Sequence, residues 1–140
     1  MGNDDNQTEE LEELKNKYLR SLADYQNLEK QTVAWREEFV KYASQSLIVE
    51  LLEVLDDLEK AASHLNDEGL NLIVDKLKVI FENTGLEEIK AEGEEFDPGQ
   101  MECVGMEETE RENVVVKVNQ KGYKLNGKII RVAKVIVSKK

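Results

Sequence analysis

The stretch that decides the fold is LEELKNKYLRSLADYQNLEKQTVAWREEFVKY, residues 11–42. Its apolar residues recur with a seven-residue period, and the chain from residue 3 to residue 68 contains neither glycine nor proline. With Leu11 at heptad position a, eight of the ten a and d positions up to Tyr42 are apolar or aromatic. Such spacing keeps one seam facing a partner helix, which is typical of a coiled coil. The seam residues predicted to mediate dimerisation are Leu11, Leu14, Tyr18, Tyr25, Leu28, Trp35, Phe39 and Tyr42.

The length of this helical region favours pairing with a second chain. If residues 9–62 form one helix, it is about 80 Å long at about 1.5 Å per residue, whereas a compact chain of this size has a radius of gyration of about 14 Å. The rest of the chain is too short to cover such a helix. We therefore expect an elongated parallel homodimer; the alternative is a single amphipathic helix lying on a globular core.

The apolar stripe widens after residues 44–46, which indicates a helix that meets more than one neighbour. Residues 63–69 resemble a connection to a second amphipathic helix, which ends at Gly85, a residue suited to the left-handed position past a helix end. Two helices per chain would form a four-helix bundle in a dimer. The residues expected on one face of the second helix are Leu70, Ile73, Leu77, Ile80 and Phe81. The bundle residues predicted to mediate dimerisation are Leu51, Leu55, Leu58 and Leu77.

The remainder of the chain has the pattern of a small β domain. Residues 94–99 contain the one proline and predict a turn, and Val114, Val116 and Val118 alternate as one face of a strand. The pair Asn126-Gly127 predicts a tight hairpin. Residues 129–137 predict one long strand with a change of phase at Ala133.

The predicted fold class is therefore α+β, with four segments. Residues 1–8 are an acidic, disordered N-terminus, and Thr8 is a candidate helix cap. Residues 9–46 form a coiled-coil stalk, residues 47–85 form the dimerisation segment of a four-helix bundle, and residues 86–140 form the β domain.

Charge is unevenly distributed along the chain, whose net charge is −11. Residues 113–140 carry eight basic and no acidic side chains, whereas residues 86–112 carry two basic and eleven acidic ones. A basic, acid-free end is compatible with a nucleic-acid tail, which would bind with a steep dependence on salt. We favour pairing with the acidic segment, because the basic end is also rich in Val and Ile, and we predict no nucleic-acid partner.

The sequence contains no motif that supports an enzyme. One cysteine, Cys103, and one histidine, His64, are too few for a usual zinc site and do not predict a nucleophile–base pair. The glycines do not have the spacing of a phosphate-binding loop. We therefore predict a protein that is not an enzyme, with no catalytic residue, no metal site and no cofactor.

Targeting signals are also lacking in the sequence. No apolar run approaches about 18 residues, so we predict no membrane association. The acidic start resembles neither a secretory signal nor a basic transit peptide. We expect a cytoplasmic protein, or one of the mitochondrial matrix or a plastid if a transit peptide has been removed.

Several motifs together resemble the GrpE family of nucleotide exchange factors for DnaK-type chaperones. In the β region they are Phe96-Asp97-Pro98, residues 101–104 (MECV) and residues 120–137 (QKGYKLNGKIIRVAKVIV). Upstream they are residues 51–61 (LLEVLDDLEKA) and residues 23–27 (ADYQN), so the resemblance extends from residue 11 to residue 137. The chain departs from the family in having Glu53 where proline is frequent, and Leu28-Glu29-Lys30-Gln31 where basic and aromatic residues are usual.

The resemblance implies a parallel dimer with a helical stalk, a four-helix bundle and two β domains. It further implies a co-chaperone that binds the nucleotide-binding domain of a DnaK-type chaperone and opens its cleft, so that ADP leaves, ATP rebinds and substrate is released. The alternative is a structural coiled-coil adaptor or tether without exchange activity. The residues that the resemblance and the hairpin pattern nominate for chaperone binding are Arg131, Gly122, Tyr123, Lys124, Lys128, Phe96, Pro98 and Gly85.

Arg131 is the leading candidate among these residues, since the hairpin is expected to project Lys124, Lys128 and Arg131 together. Arginine offers a rigid fork of donors that can grip a carboxylate across an interface. The alternative is an internal ion pair between Arg131 and one of the acids of residues 87–112.

Overall fold

The computed structural model describes residues 2–140; Met1 lies outside the described residues. The described residues divide into two units, one ending at Lys41 and the other comprising Tyr42–Lys140. The elements are α1 (Gly2–Tyr42), α2 (Gln45–Leu65), α3 (Glu68–Asn83), β1 (Leu86–Glu88), β2 (Met101–Glu108), β3 (Val115–Gln120), β4 (Tyr123–Leu125), β5 (Lys128–Arg131) and β6 (Ala133–Lys139). The predicted α+β class is confirmed. Across residues 2–140, the helices all lack the combination of length and apolar character that crossing a membrane requires.

Helix α1 begins earlier than expected. Residues 2–8, for which disorder was predicted, are helical, while Met1 of that segment falls outside the described residues. The acidic side chains of Asp4 and Asp5 lie in the first turn, where the positive end of the helix dipole favours them. Thr8 does not cap the helix, because its hydroxyl donates to the Asp4 carbonyl oxygen at 2.8 Å, a bond within the helix.

The apolar seam of α1 is uncovered in the single chain. None of the described residues of this helix is buried. Trp35 and Phe39 stack on each other with ring centroids 5.3 Å apart, yet both remain exposed. The large exposed a and d residues are Leu11, Leu14, Tyr18, Tyr25, Leu28, Trp35 and Phe39. A long helix with such a seam fits a coiled coil.

The helical region is interrupted at Ala43 and Ser44 and resumes as α2. The helix that we treated as continuous to residue 62 is thus two helices. Helix α2 passes through Glu53 without a break, as expected where proline is absent. It has two apolar faces, one buried in its own chain and one exposed. The buried face comprises Ile48, Leu52, Leu55 and Ala62, and the exposed apolar residues are Leu47, Leu51, Val54 and Leu65.

The connection between α2 and α3 is shorter than predicted. It consists of Asn66 and Asp67, whereas residues 63–69 were expected to connect the helices. Asn66 adopts the left-handed conformation that ends α2. The Asp67 carboxylate then caps α3 by accepting from the backbone N–H groups of Gly69 at 2.7 Å and Leu70 at 3.2 Å. Two residues therefore suffice to reverse the chain.

Helix α3 also has two apolar faces, which corrects the single face predicted from the sequence. Val74 and Phe81 are buried, and Leu70 and Leu77 pack against the same core. The residues that stay exposed are Leu72, Ile73, Val79 and Ile80. Among the residues predicted for dimerisation, Leu55 is buried within its own chain, and Leu58 and Leu77 pack against that same core. The hydrophobic pattern identified apolar helices but did not separate the two faces.

The β region forms two three-stranded sheets. Strands β1, β4 and β5 form an antiparallel sheet in the order β1-β4-β5, which we call the hairpin sheet. In the other sheet, β6 lies between β2, to which it is parallel, and β3, to which it is antiparallel. The hairpin sheet contributes Leu86, Tyr123 and Leu125 to one core with α2 and α3, whereas the second sheet has its own core.

One strand prediction was wrong, and a second was correct only in part. Residues 129–137 are not one strand, because the chain leaves the hairpin sheet after Arg131 and enters the second sheet at Ala133. In β3, Val116 and Val118 are half-buried and alternate with exposed Lys117 and Asn119 as predicted, but the fully buried residue is Val115, which was placed on the other face. Register irregularities on both sides of residues 117–118 shift the alternation.

Candidate functional site

The hairpin joining β4 and β5 forms at the predicted turn. Asn126 and Gly127 have φ angles of 49° and 85°, which two-residue hairpins favour, and Leu125 pairs with Lys128. This turn rests on the end of α3. Gly85 has the predicted left-handed conformation, with φ of 94°, and its carbonyl oxygen accepts from the Asn126 N–H at 2.9 Å. A Cβ atom on Gly85 would overlap the Asn126 side-chain oxygen, so the glycine permits close contact between helix end and hairpin.

Gly122 permits a second close approach, at the crossing between the two sheets. A Cβ atom there would lie 2.9 Å from both Ala133 Cα and the Val132 carbonyl carbon, and closer still to Ala133 N. All three are backbone atoms and cannot rotate away. The Gly122 carbonyl oxygen accepts a hydrogen bond from the Ile89 N–H at 2.8 Å. Gly122, which was nominated for chaperone binding, is thus held against the backbone that leaves the hairpin sheet.

Arg131, predicted to project outward, is instead turned towards α2. Its Nη1 lies 2.7 Å from Asp56 Oδ2 and its Nη2 lies 3.0 Å from Asp56 Oδ1, which is a bidentate ion pair. The Arg131 Nε donates to the Lys121 carbonyl oxygen at 2.9 Å, and the guanidinium lies 5.2 Å from the centre of the Tyr123 ring. The side chains of Arg131 and Asp56 are only 13% and 17% exposed. The alternative of an internal pair was correct in kind but wrong in partner, because Asp56 lies outside residues 87–112.

A second set of charges lies beside this pair. Lys121 Nζ is 3.0 Å from Glu59 Oε2 and 3.8 Å from Glu88 Oε1, while Lys78 Nζ is 3.1 Å from Glu59 Oε1. Glu59 belongs to α2, Lys78 to α3 and Glu88 to β1, so ion pairs connect both helices to the hairpin sheet. Burial opposes protonation of Lys121, but its hydrogen bond to Glu59 and the surrounding negative charges outweigh burial and raise its pKa.

Tyr123, another predicted contact residue, is buried beneath these charges. It pairs across the strands with Arg131 and with Glu88. Burial raises the pKa of its phenol, and the negative charges of Glu59, Glu88 and Asp56 raise it further, against the opposing effect of Arg131. The phenol therefore stays uncharged, and the face of the ring lies against the Arg131 guanidinium in a cation–π contact. Its environment is that of a structural residue in the hairpin sheet.

Two predicted cations remain at the surface. Lys128 is exposed, and its ammonium group lies 5.1 Å from the centre of the Tyr42 ring. Lys124 is half-buried, faces Glu87 across β1 and β4, and lines an open groove with Glu87 and Gln100. Arg131 does not join them, so the predicted three-residue cluster is not formed.

Phe96 packs against the core of the second sheet, and Pro98 lies in the turn that precedes β2. Phe96 is half-buried and packs against the core that contains Met101 and Val135. Pro98 is exposed in a turn in which the Asp97 carboxylate accepts from the Gly99 N–H at 2.9 Å. The turn itself was predicted correctly. The structure therefore distributes the predicted contact residues over two regions of the β domain.

Comparison with known proteins identifies the relatives of this chain. The family model described as GrpE matches residues 3–139. The chain belongs to the GrpE family. The resemblance inferred from the sequence is thereby confirmed, over almost the whole chain rather than over one motif.

Individual GrpE proteins agree with this assignment. Protein GrpE of Methanosphaera stadtmanae is 39% identical over 137 residues, covering 94% of this chain and 79% of that protein. Protein GrpE of Fusobacterium nucleatum subsp. polymorphum is 43% identical over 141 residues, covering 94% and 69%. Protein GrpE of Listeria welshimeri is 38% identical over 138 residues, covering 91% and 72%. GrpE proteins are co-chaperones of DnaK-type chaperones and act in nucleotide exchange, which gives the general class of function.

The acidic residues that hold the site together were missed in the sequence analysis. Asp56 and Glu59 lie on α2, three residues apart, and Glu59 engages two lysines. Their signal in the sequence was weak but present. Both sit in a stretch whose neighbours Leu52 and Leu55 are fully buried, so an acid on the adjoining face lies at the edge of the core and requires a partner.

Proposed function

We propose that this GrpE-family chain is a nucleotide exchange factor, which binds the nucleotide-binding domain of a DnaK-type chaperone and opens its cleft so that ADP leaves. ATP then rebinds and the chaperone releases its substrate. The match of the family model to residues 3–139 carries this proposal. The matched range includes almost all of α1, and all of α2, α3 and the six β-strands.

The proposed mechanism needs no covalent step by this chain. The factor binds the open form of the chaperone's nucleotide-binding domain more tightly than the closed form, and this difference in affinity shifts the equilibrium towards the open form. An equilibrium moved from about 1:99 to 99:1 needs about 5.5 kcal/mol of differential affinity. A rigid binding surface delivers such a difference better than a flexible one, because less of the binding free energy is lost in ordering the surface.

The hairpin sheet supplies the surface that we propose for chaperone contact. Lys128 is the exposed cation of its turn, and Lys124 lines the adjoining groove. Pro98 offers a second exposed turn in the β domain. In this proposal Lys128, Lys124 and Pro98 meet the chaperone. Gly85, Gly122, Tyr123, Arg131 and Phe96 support those contact residues from within.

We also propose that the chain acts as a parallel homodimer. Three apolar faces support this: the seam of α1, the Leu47–Leu51–Val54 face of α2, and the Ile73–Ile80 face of α3 are all exposed in the single chain. Exposed apolar surface of this extent is unusual for a monomer and is typical of a protein–protein interface. Two copies of α2 and α3 would bury the faces of these two helices in a four-helix bundle, and two copies of α1 would bury the seam in a coiled coil.

Release of a fluorescent ADP analogue from a purified DnaK-type chaperone tests the proposal. Adding this protein should accelerate release in a saturable manner, with the rate approaching a maximum as the factor concentration rises. A matched sample with heat-denatured protein controls for non-specific effects. Binding to the chaperone without acceleration would favour an adaptor or tether and would refute the exchange function.

A further inference from the structure

The bidentate contact between Arg131 and Asp56 joins the hairpin sheet to helix α2. We propose that this ion pair fixes the orientation of the hairpin sheet on α2 and thereby sets the maximal rate of nucleotide exchange, with Arg131 and Asp56 acting as positioning residues. The inference rests on the exchange function proposed above. It gives Arg131 a role different from direct contact with the chaperone.

The pair is directional, whereas the apolar contacts between α2 and the hairpin sheet are not. Leu52 and Leu55 of α2 share a core with Tyr123 and Leu125 of the hairpin sheet. Apolar burial is non-directional and by itself tolerates sliding or rotation of one element over another. The two parallel N–H to oxygen bonds of an arginine–carboxylate pair demand one relative orientation. The fork between Arg131 and Asp56 therefore adds the rotational constraint that the apolar core lacks.

The donors of Arg131 are largely committed inside the chain. Two of its nitrogens bind the Asp56 carboxylate and the third donates to the Lys121 carbonyl oxygen. Those bonds use three of the five N–H donors of a guanidinium. Offering the same fork to a carboxylate of the chaperone would leave Asp56 unpaired at 17% exposure. Removing one member of such a sequestered pair is costly, so the internal pair is the resting arrangement.

The neighbouring ion pair between Lys121 and Glu59 is less suited to orienting the sheet. Lys121 contacts Glu59 through a single nitrogen, and its side chain is 34% exposed. A lysine is a point charge on a flexible stem, so it strengthens attraction without fixing an angle. The backbone link between α3 and β1 passes through Gly85, which is itself conformationally permissive. The Arg131–Asp56 fork is thus the contact best suited to orient the sheet.

Asp56→Asn tests this role, with Asp57→Asn as its matched control. Asp57 is the next residue of α2 and is exposed, so both variants remove one carboxylate charge from the same turn. ADP release from the chaperone is measured over a range of factor concentrations to separate the maximal rate from the half-saturating concentration. For Asp56→Asn we expect the maximal rate to fall about tenfold, equivalent to about 1.4 kcal/mol, because contacting residues couple on this scale. The half-saturating concentration should stay within about twofold of wild type, since no contact residue is removed.

Arg131→Lys provides a second variant that retains the positive charge but loses the fork. We expect a similar fall in maximal rate with an unchanged half-saturating concentration. Circular dichroism and sedimentation identify a temperature at which each variant is folded and has the wild-type mass, and exchange is compared there. Should Asp56→Asn be unfolded at every workable temperature, Arg131→Lys carries the comparison by the same criteria.

Two outcomes overturn the inference while leaving the exchange function intact. Wild-type stimulation by the folded Asp56→Asn or Arg131→Lys variant would mean that orientation does not depend on the fork. A rise in half-saturating concentration at an unchanged maximal rate would mean that the pair acts in binding instead. If the wild-type protein itself fails to accelerate ADP release, the proposed function and this inference both fall.

Discussion

Replacing Gly122 with alanine should destabilise the β domain, because the added methyl group has no space. The new Cβ would lie 2.9 Å from Ala133 Cα and from the Val132 carbonyl carbon, in addition to its closer contact with Ala133 N. Carbon atoms pack best at about 3.5–4.0 Å, so the crossing backbone must retreat by about 0.5–1 Å. That backbone carries the hydrogen bond from the Ala133 N–H to the Gln100 carbonyl oxygen, which the shift would lengthen.

The expected loss follows from two opposing effects. Overpacking costs about 1–3 kcal/mol in well-packed regions. Exchanging glycine for alanine recovers about 0.4–1 kcal/mol, since it restricts the unfolded chain. The free energy of unfolding should therefore fall by about 1–2 kcal/mol, and the Tm of the β domain by about 5–15 °C.

Gly105→Ala is the matched control for this substitution. Gly105 also lies in the β domain, but its added Cβ would meet one atom, the terminal Cδ1 of Ile136 at 2.8 Å. A side-chain methyl group moves by rotamer adjustment, so the Tm should change by less than about 4 °C. Melting is followed through NMR signals of β4 and β6 at one fixed protein concentration. Equal Tm values for the two alanine variants would refute the close-approach argument for Gly122.

Three substitutions and one melting experiment test the remaining parts of the structure. Leu51→Asp should convert the proposed dimer to a folded monomer in sedimentation, because it places a charge in an exposed apolar face of α2; retention of the dimer would contradict that interface. The stalk should melt below the β domain, since Ser21 and Thr32 weaken its seam; coincident transitions in circular dichroism and β-domain NMR would disagree. Gly85→Asp should lower exchange without removing a contact residue, because it strains a left-handed helix end; wild-type exchange would argue against this. Lys128→Ala should raise the half-saturating concentration by about tenfold if it is an interface contact; an unchanged value would exclude that contact.

The features that sequence could predict are those with a local cause. The seam of α1 follows from a spacing of side chains along one helix, and the turn at Asn126 and Gly127 follows from the φ angles those residues tolerate. The left-handed conformation of Gly85 has the same kind of origin. Each signal lies within a few residues of the structure that it predicts, so no knowledge of distant contacts is needed.

The second sheet shows why other features could not be predicted. The apolar run from residue 129 to residue 137 has the composition of one long strand. Its periodicity does not indicate which neighbouring strand each half will pair with. The division at Val132 arises because β5 pairs with β4, while β6 lies between β2 and β3. Ala133 is fully buried next to Gly122 at this crossing, but the contact joins residues that sequence patterns treat separately.

The same limit explains the misassigned partner of Arg131. Summing charges by segment balanced the basic end of the chain against the acidic residues just before it, which gives a near-neutral β region but names no pair. The partner is Asp56, 75 residues away in sequence, because the fold lays α2 against β5. A carboxylate at the edge of a helix's buried face is costly without a counter-charge, so the apolar neighbours of Asp56 are a better guide to pairing than the regional charge. A half-buried acid on an amphipathic helix thus predicts a cation partner from elsewhere in the chain; here that cation is Arg131, which leaves Lys128 as the exposed candidate for chaperone contact.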